Sequence, residues 1–313
     1  MLETILNTTL PVFILIGAGY CAVRFNFVAQ DGAIAIGRYV LYFALPAMIY
    51  TTITKLEFTE VFSGHFFVAY AGGSLLSLAL AWALAHKVLK QDLSLSSIKT
   101  LGSGISNSVF FGYPVMLQIF GDAPAVAVAT ALISENLILF PVALTLIEYA
   151  IAKESGEASL LAIWKKVGMR VVKNPLVIAI SASLVASATH FTLPEVVEKS
   201  FVMLAASSAP VALFSIGAAL VGTQLKGSLV DLSSLVTCKL IIHPLLVLGM
   251  VFLLPDFDPT LQMAAVVLAA MPMMSVYPII GGGYGYGKLC ASALLATTLA
   301  SFVTISAIVV LIN

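Results

Sequence analysis

Charge is scarce in this sequence. Only 10% of its 313 residues are Asp, Glu, Lys or Arg, where a soluble domain carries roughly a quarter. The 15 basic and 15 acidic residues cancel, so the basic excess that a nucleic-acid backbone demands is absent and nucleic-acid binding is excluded. Cysteine is scarce too. Cys21, Cys238 and Cys290 lie in or beside apolar stretches at no ligand spacing, which excludes a disulfide framework and a metal site. Gly281-Gly282-Gly283-Tyr284-Gly285 lacks the Lys-Ser/Thr that completes a phosphate-binding loop. No Ser/His/Asp set and no His-Glu-x-x-His is present. The chain therefore reads as a non-enzyme without a cofactor. Met1-Leu2-Glu3 also lacks the basic start of a cleaved signal peptide, so the first apolar run is expected to be retained.

What the chain has in abundance is apolar sequence. It is 60% hydrophobic, with a mean hydropathy of +1.07. A spanning helix needs about 20 mostly apolar residues. Ten runs approach that length: Thr8–Val23, Ile34–Thr54, His65–Leu84, Ser97–Phe120, Val126–Ala150, Val171–Ala188, Phe201–Val221, Ser233–Leu254, Leu261–Ile280 and Lys288–Ile312. The first and sixth are short and are expected to extend or tilt. The lipid bilayer is thus the chain's first partner.

Twelve of the fifteen basic residues lie in or beside alternate gaps between these runs: Arg24, Arg38, Lys87, Lys90, Lys99, Lys153, Lys165, Lys166, Arg170, Lys173, Lys226 and Lys288. The opposite gaps hold only Lys55 and Lys199, and Lys239 sits inside a run. Basic residues in short loops stay cytoplasmic. A multi-pass protein of the plasma (inner) membrane is expected, with both termini outside, on the periplasmic face.

The longest polar interval, Ala152–Arg170, would be a cytoplasmic linker between an N-terminal unit, residues 1–151, and a C-terminal unit, residues 171–313. Five spans in each unit force opposite orientations, the inverted-repeat plan of many secondary transporters. The second and seventh runs carry Leu45-Pro46-Ala47 and Ala209-Pro210-Val211; the fourth and ninth carry Gly112-Tyr113-Pro114 and Val276-Tyr277-Pro278. Proline removes a backbone donor and clashes one turn earlier. Broken fourth and ninth helices would aim half-helix N-termini, with their partial positive charge, at a central cavity suited to an anion.

Around that break Ser106, Asn107 and Tyr113 beside Pro114 are candidate substrate contacts, with Met273, Ser275 and Tyr277 beside Pro278 as their counterparts in the ninth run. The competing reading is packing and inter-helix hydrogen bonding. Glu135 and Asn136 fall mid-run, and a carboxylate at that depth is a functional candidate by default. Glu135 either carries a coupling proton or pairs structurally with Lys239 or His243. His243 could relay protons, and Lys239 could snorkel to the cytoplasmic end. Glu148 reads as solvated. Phe66, Phe67, Tyr70, Trp82 and Trp164 read as interface anchors or packing, and His65, His86 and His190 as interfacial.

Leu10-Pro11-Val12-Phe13 leading into Gly17-x-Gly19-Tyr20, then Tyr42-Phe43-Ala44-Leu45-Pro46-Ala47, resembles the opening of the auxin efflux carrier family. Asn107 through Gly112-Tyr113-Pro114 is similar to its fourth-helix crossover. Asn174-Pro175-Leu176, Ala209-Pro210-Val211-Ala212-Leu213-Phe214-Ser215-Ile216-Gly217, Lys239-Leu240-x-x-His243-Pro244, and Met271-Pro272 with Tyr284-Gly285 continue the likeness in order along the chain. The resemblance implies an all-α polytopic membrane protein of ten transmembrane helices, built as two inverted five-helix repeats with broken, crossing helices 4 and 9, as in the bile acid symporters. It also implies a scaffold of helices 1, 2, 6 and 7 against a transport unit of helices 3–5 and 8–10, and bacterial members similar to malonate and other carboxylate permeases. Met273-Met274-Ser275 departs from the small polar residues of many members.

The resulting expectation is a secondary carrier of a small organic anion, a mono- or dicarboxylate, moving by elevator-type alternating access. The coupling ion, H+ or Na+, stays open, as does a homodimer. Two alternatives stand beside it: a sodium-coupled symporter of the bile acid type, and a membrane sensor that binds its ligand without moving it. The second is weakened by an end at Asn313 without a signalling domain.

Overall fold

The structure is a computed structural model that describes residues 2–156, 159–223 and 228–312; Glu157 of the linker and Lys226 of the seventh gap fall outside these. The described residues form helices and no strand. In chain order they are α1 (Leu2–Arg24), α2 (Gln30–Ile53), α3 (Gly64–Val88), α4 (Leu93–Gly104), α5 (Ser108–Phe120), α6 (Ala125–Glu154), α7 (Leu160–Val172), α8 (Pro175–Ala188), α9 (Glu195–Leu220), α10 (Leu229–Leu253), α11 (Pro259–Ala269), α12 (Tyr277–Gly282) and α13 (Gly287–Ile312). Six of them, α2, α3, α6, α9, α10 and α13, are long and apolar enough to cross a membrane, seven if the bent pair α7–α8 counts as one span. Large apolar side chains such as Ile178, Met203, Phe252, Leu253 and Val303 stand exposed, a surface suited to lipid.

Four prolines share one arrangement, while Pro11 and Pro210 sit in helix without a widened turn and the wide turn Leu84–Val88 has no proline after it. Val40–Ala44 in α2, Ser108–Gly112 in α5, Glu135–Leu139 in α6 and Cys238–Ile242 in α10 are wide turns of π type. Each is followed, two residues on, by a proline: Pro46, Pro114, Pro141 and Pro244. Widening the turn ahead of the ring lets the chain drop a hydrogen bond without breaking the helix. Where sequence reasoning sees a kink, the structure inserts a residue, and three of these turns bear buried polar side chains.

The stretch expected as a polar loop is mostly helical. α6 runs on into the linker, and α7 occupies Leu160–Val172 with Ser159 as its N-cap. Ile163 and Val167 are buried, while Lys165, Lys166 and Arg170 are exposed. That two-faced pattern is what holds a helix on a surface. The chain then bends by 63° into α8. Asn174 turns it: its Oδ1 accepts from the Leu176 N–H at 2.9 Å, and Pro175 takes the first helical position.

Two groups of helices pack most closely within themselves. α1, α2, α8 and α9 form one; α3, α4, α6, α10, α11, α12 and α13 form the other. α1 and α9 touch backbone to backbone, since a Cβ at Gly19 would lie 1.9 Å from the Phe214 carbonyl oxygen and one at Gly217 only 1.8 Å from that of Ile16.

Contacts between loops gather alternate gaps at opposite ends. At one end Ser94 Oγ meets Glu154 at 2.9 Å and Tyr286 OH at 3.1 Å, and Lys99 pairs with Asp231 at 2.9 Å. At the other, Ser187 donates to the Leu56 carbonyl at 3.0 Å, the Ser63 N–H donates to Thr130 at 3.3 Å, and His65 stacks on Phe257.

Candidate functional site

Two interrupted helices meet at the centre. Ile105 leaves the helical region with φ −118° and ψ 124°, which frees the chain between α4 and α5. Residues 270–276 make the corresponding break between α11 and α12. The two breaks pass as short extended segments: Ser106 bridges Met273 in antiparallel fashion, and the Asn107 N–H donates to the Pro272 carbonyl at 2.8 Å. Pro272 has no N–H to extend α11, and the chain before a proline disfavours helix. The Asn107 side-chain amide donates to Ser275 Oγ at 2.6 Å. Tyr277, fully buried, donates its hydroxyl to the Ile98 carbonyl at 3.1 Å, and a Cβ at Gly102 would lie 2.7 Å from its ring. A tyrosine on α12 is thus seated against a glycine on α4.

Beside this crossing lies Lys239, with no exposed surface. Its ammonium donates to the Ala269 carbonyl at 2.7 Å, to Ser106 Oγ at 2.9 Å and to His243 Nδ1 at 2.8 Å. All three protons are used. The other ring nitrogen of His243, Nε2, lies 2.8 Å from Ser74 Oγ. Ala269 ends α11, so the ammonium faces the negative end of a half-helix. Lys239 does not snorkel: it reaches inward, where carbonyl and hydroxyl oxygens exposed by the break replace the water it leaves.

Glu135 occupies the wide turn of α6 and is 5% exposed. Its Oε1 accepts from the Tyr70 and Ser108 hydroxyls, each at 2.6 Å. These hydroxyls, rather than Lys239 or His243, are its hydrogen-bond partners. Ser108 opens α5 directly after the break, so the carboxylate is tied to the crossing. Asn136 follows it, donating to the Leu132 carbonyl and accepting from Asn174, both at 3.0 Å.

A cavity of about 310 Å³ lies against the crossing. Ser106, Asn107, Ser108, Glu135, Asn136, Asn174 and Ser275 supply polar wall; Leu41, Phe110, Phe140, Leu176 and Met274 supply apolar wall; Arg170 of α7 joins them. Among the expected residues, Asn107, Ser106, Ser275, Glu135 and Asn136 share this wall. Pro114, Met273, Tyr277 and His243 are buried behind it, and Tyr113 and Pro278 are half-buried away from it.

Four contributors escape sequence reading. Tyr70, read as an anchor or packing, is fully buried and holds Glu135. Ser108 passes as one serine among several. Asn174 enters the sequence reading only through the family resemblance, yet it caps α8 and bonds Asn136. Arg170 reads as a topology signal. Glu148 is a correction: far from solvated, it is 6% exposed and pairs with Lys166 at 2.6 Å and Arg170 at 3.2 Å. Tyr284 also donates to it and accepts from Arg170 at 2.8 Å. Burial, then the Glu148 carboxylate, push the Tyr284 hydroxyl above its usual range, so it stays a donor.

Comparisons with known proteins bear on the family of the chain. The family model described as "Membrane transport protein" matches residues 4–309. The chain is 26% identical over 310 residues to a protein of Rhizobium meliloti named "Putative malonate transporter", covering 99% of this chain and 96% of that one. It is 25% identical over 314 residues to the transporter YfdV of Escherichia coli, covering 97% and 96%. It also matches the "Lysosomal cholesterol signaling protein" of Mus musculus at 27% over 287 residues, 87% of this chain but 32% of that longer protein. With the match running nearly end to end, this chain belongs to the membrane transport protein family, which includes the auxin efflux carriers.

Proposed function

We propose that this transporter is a secondary carrier for a small organic anion, a carboxylate of malonate size, and that the substrate binds where the two broken helices cross. The observation that carries this reading is the Asn107 amide, 2.6 Å from Ser275, on a mainly apolar cavity at the start of α5 in which Asn107, its neighbouring serines, Asn136 and Asn174 supply the polar groups. The first N–H groups of a helix have no intrahelical partner and carry partial positive charge. Those of Ser108, Val109 and Phe110 belong to residues that line the same cavity. An amide and a helix start suit a carboxylate, and the relative named for malonate favours that class.

On this reading ten segments cross the membrane as two inverted units of five, and the basic gaps face the cytoplasm of the inner membrane. The cavity, with Arg170 beside it, opens inward. The helices that pack as α1, α2, α8 and α9 form the scaffold, and the rest carry the crossing past it.

Two observations bear on coupling. Lys239 already places its ammonium on two oxygens of the crossing, the Ala269 carbonyl and the Ser106 hydroxyl, so we favour protons over sodium. Glu135 borders the cavity and is tied to Ser108. A protonated Glu135 tolerates an anion beside it and an ionised one repels it, which links one proton to each anion moved. Counterflow of labelled malonate in proteoliposomes tests the function: a carrier gives a transient overshoot, and a protein that binds without transport gives none.

A further inference from the structure

We propose that Arg170 anchors a second carboxylate, which makes α7 a specificity element and the site selective for dicarboxylates over monocarboxylates. The inference rests on the anion-carrier reading and names the substrate class of that site. Arg170 is the one basic side chain in the cavity wall among the described residues. It is held there rather than left to wander. Its NH1 donates to the Tyr284 hydroxyl at 2.8 Å and lies 3.2 Å from Glu148 Oε1.

That clamp does not consume the charge. Glu148 is one carboxylate set against two cations, Lys166 at 2.6 Å and Arg170 at 3.2 Å. The closer partner is the lysine. The cluster of Glu148, Lys166 and Arg170 therefore keeps one net positive charge, and among the described residues both contacts of Arg170 use a single nitrogen. The rest of the guanidinium fork keeps donors of the geometry that matches a carboxylate. Its side chain is 42% exposed, so ligand reaches it without unpacking the core. The Asn107 amide and the start of α5, which line the same cavity, take the first carboxylate. A monocarboxylate satisfies that end alone.

The test compares malonate with monomethyl malonate, which keeps the same carbon chain with one carboxylate esterified. Binding of each to the full-length protein in detergent is followed by thermal shift and calorimetry near neutral pH. Arg170→Gln is expected to weaken malonate roughly 10- to 150-fold, the loss of one charge-assisted pair, and to leave monomethyl malonate unchanged. Glu148 keeps Lys166 in this variant, so the fold is expected to persist. Arg170→Lys retains the charge and is expected to keep a preference for malonate. Equal loss of both ligands, no loss of malonate, or a lysine variant without preference would overturn the role of Arg170. A wild-type protein that binds neither ligand would instead overturn the carboxylate reading itself.

Discussion

The Lys239 ammonium sits 2.7 Å from the Ala269 carbonyl and closes the end of a helix from a neighbouring one. Both groups are fully buried. A cation in that position neutralises the negative end of α11, and Ser106 and His243 complete its coordination. Removing it takes a partner from three buried polar groups: His243 Nδ1 loses its contact, and Ser106 Oγ and the Ala269 carbonyl keep only their mutual 3.4 Å bond. Each unsatisfied buried group costs about 1–3 kcal/mol. Lys239→Met is therefore expected to lower the unfolding temperature in detergent by several degrees. An unchanged melt would mean that the crossing does not need its internal cation.

The same contact bears on ions. With the Ala269 carbonyl and Ser106 hydroxyl already held by Lys239, replacing sodium with choline is expected to leave malonate uptake by the wild-type protein unaltered. Uptake that rises steeply with sodium concentration would restore the sodium-coupled symporter.

Glu135 is expected to separate coupling from translocation. Glu135→Gln keeps a group that can hydrogen-bond Tyr70 and Ser108 but cannot exchange a proton. Accumulation driven by a pH gradient should vanish while substrate exchange persists. A variant that still accumulates substrate in proportion to the gradient would reduce Glu135 to a structural tie.

The contact between α1 and α9 sets a stability test independent of transport. A methyl group at Gly19 would meet the Phe214 carbonyl oxygen at 1.9 Å, well inside contact distance, and neither backbone can turn aside. Overpacking of this kind typically costs about 1–3 kcal/mol. Gly19→Ala should lower the melting temperature, whereas Gly17→Ala, with no atom within 4 Å of its Cβ, should not.

Topology has its own probe. Ser159 caps α7 and is exposed. A cysteine placed there should resist an impermeant thiol reagent added to intact cells and react after lysis. Labelling from outside would invert the proposed orientation.

The sequence and the structure part company for physical reasons. Apolar runs reveal the long helices because hydrocarbon solvent imposes a length rule on each segment separately. Proline and the serine-rich stretch around Asn107 point to two interrupted helices, but Pro114 and Pro278 lie in the helical segments beyond the breaks, which fall at residues 105–107 and 270–276. What escapes is pairing between distant segments. Nothing local distinguishes Tyr70 from a packing aromatic, since its partner Glu135 lies 65 residues away. Arg170 counts as one more cytoplasmic charge until α7 folds it against the cavity, and Glu148 looks solvated until Lys166 reaches it. Lys239 misleads most: a lysine near the end of a run ordinarily reaches for water, and only the open end of α11 turns it inward. The linker misleads through its composition, because a surface helix needs just one apolar face.

The central claim is that the crossing holds a carboxylate through Asn107, and malonate binding by Asn107 variants tests it most directly. Asn107→Ala removes a donor and is expected to weaken binding by about 1.5–3 kcal/mol, roughly 10- to 150-fold. Asn107→Asp keeps the shape, replaces the donors with negative charge, and is expected to bind worse than alanine. An aspartate variant that binds malonate as well as wild type would move the anion site elsewhere, and one that binds better would contradict the account outright.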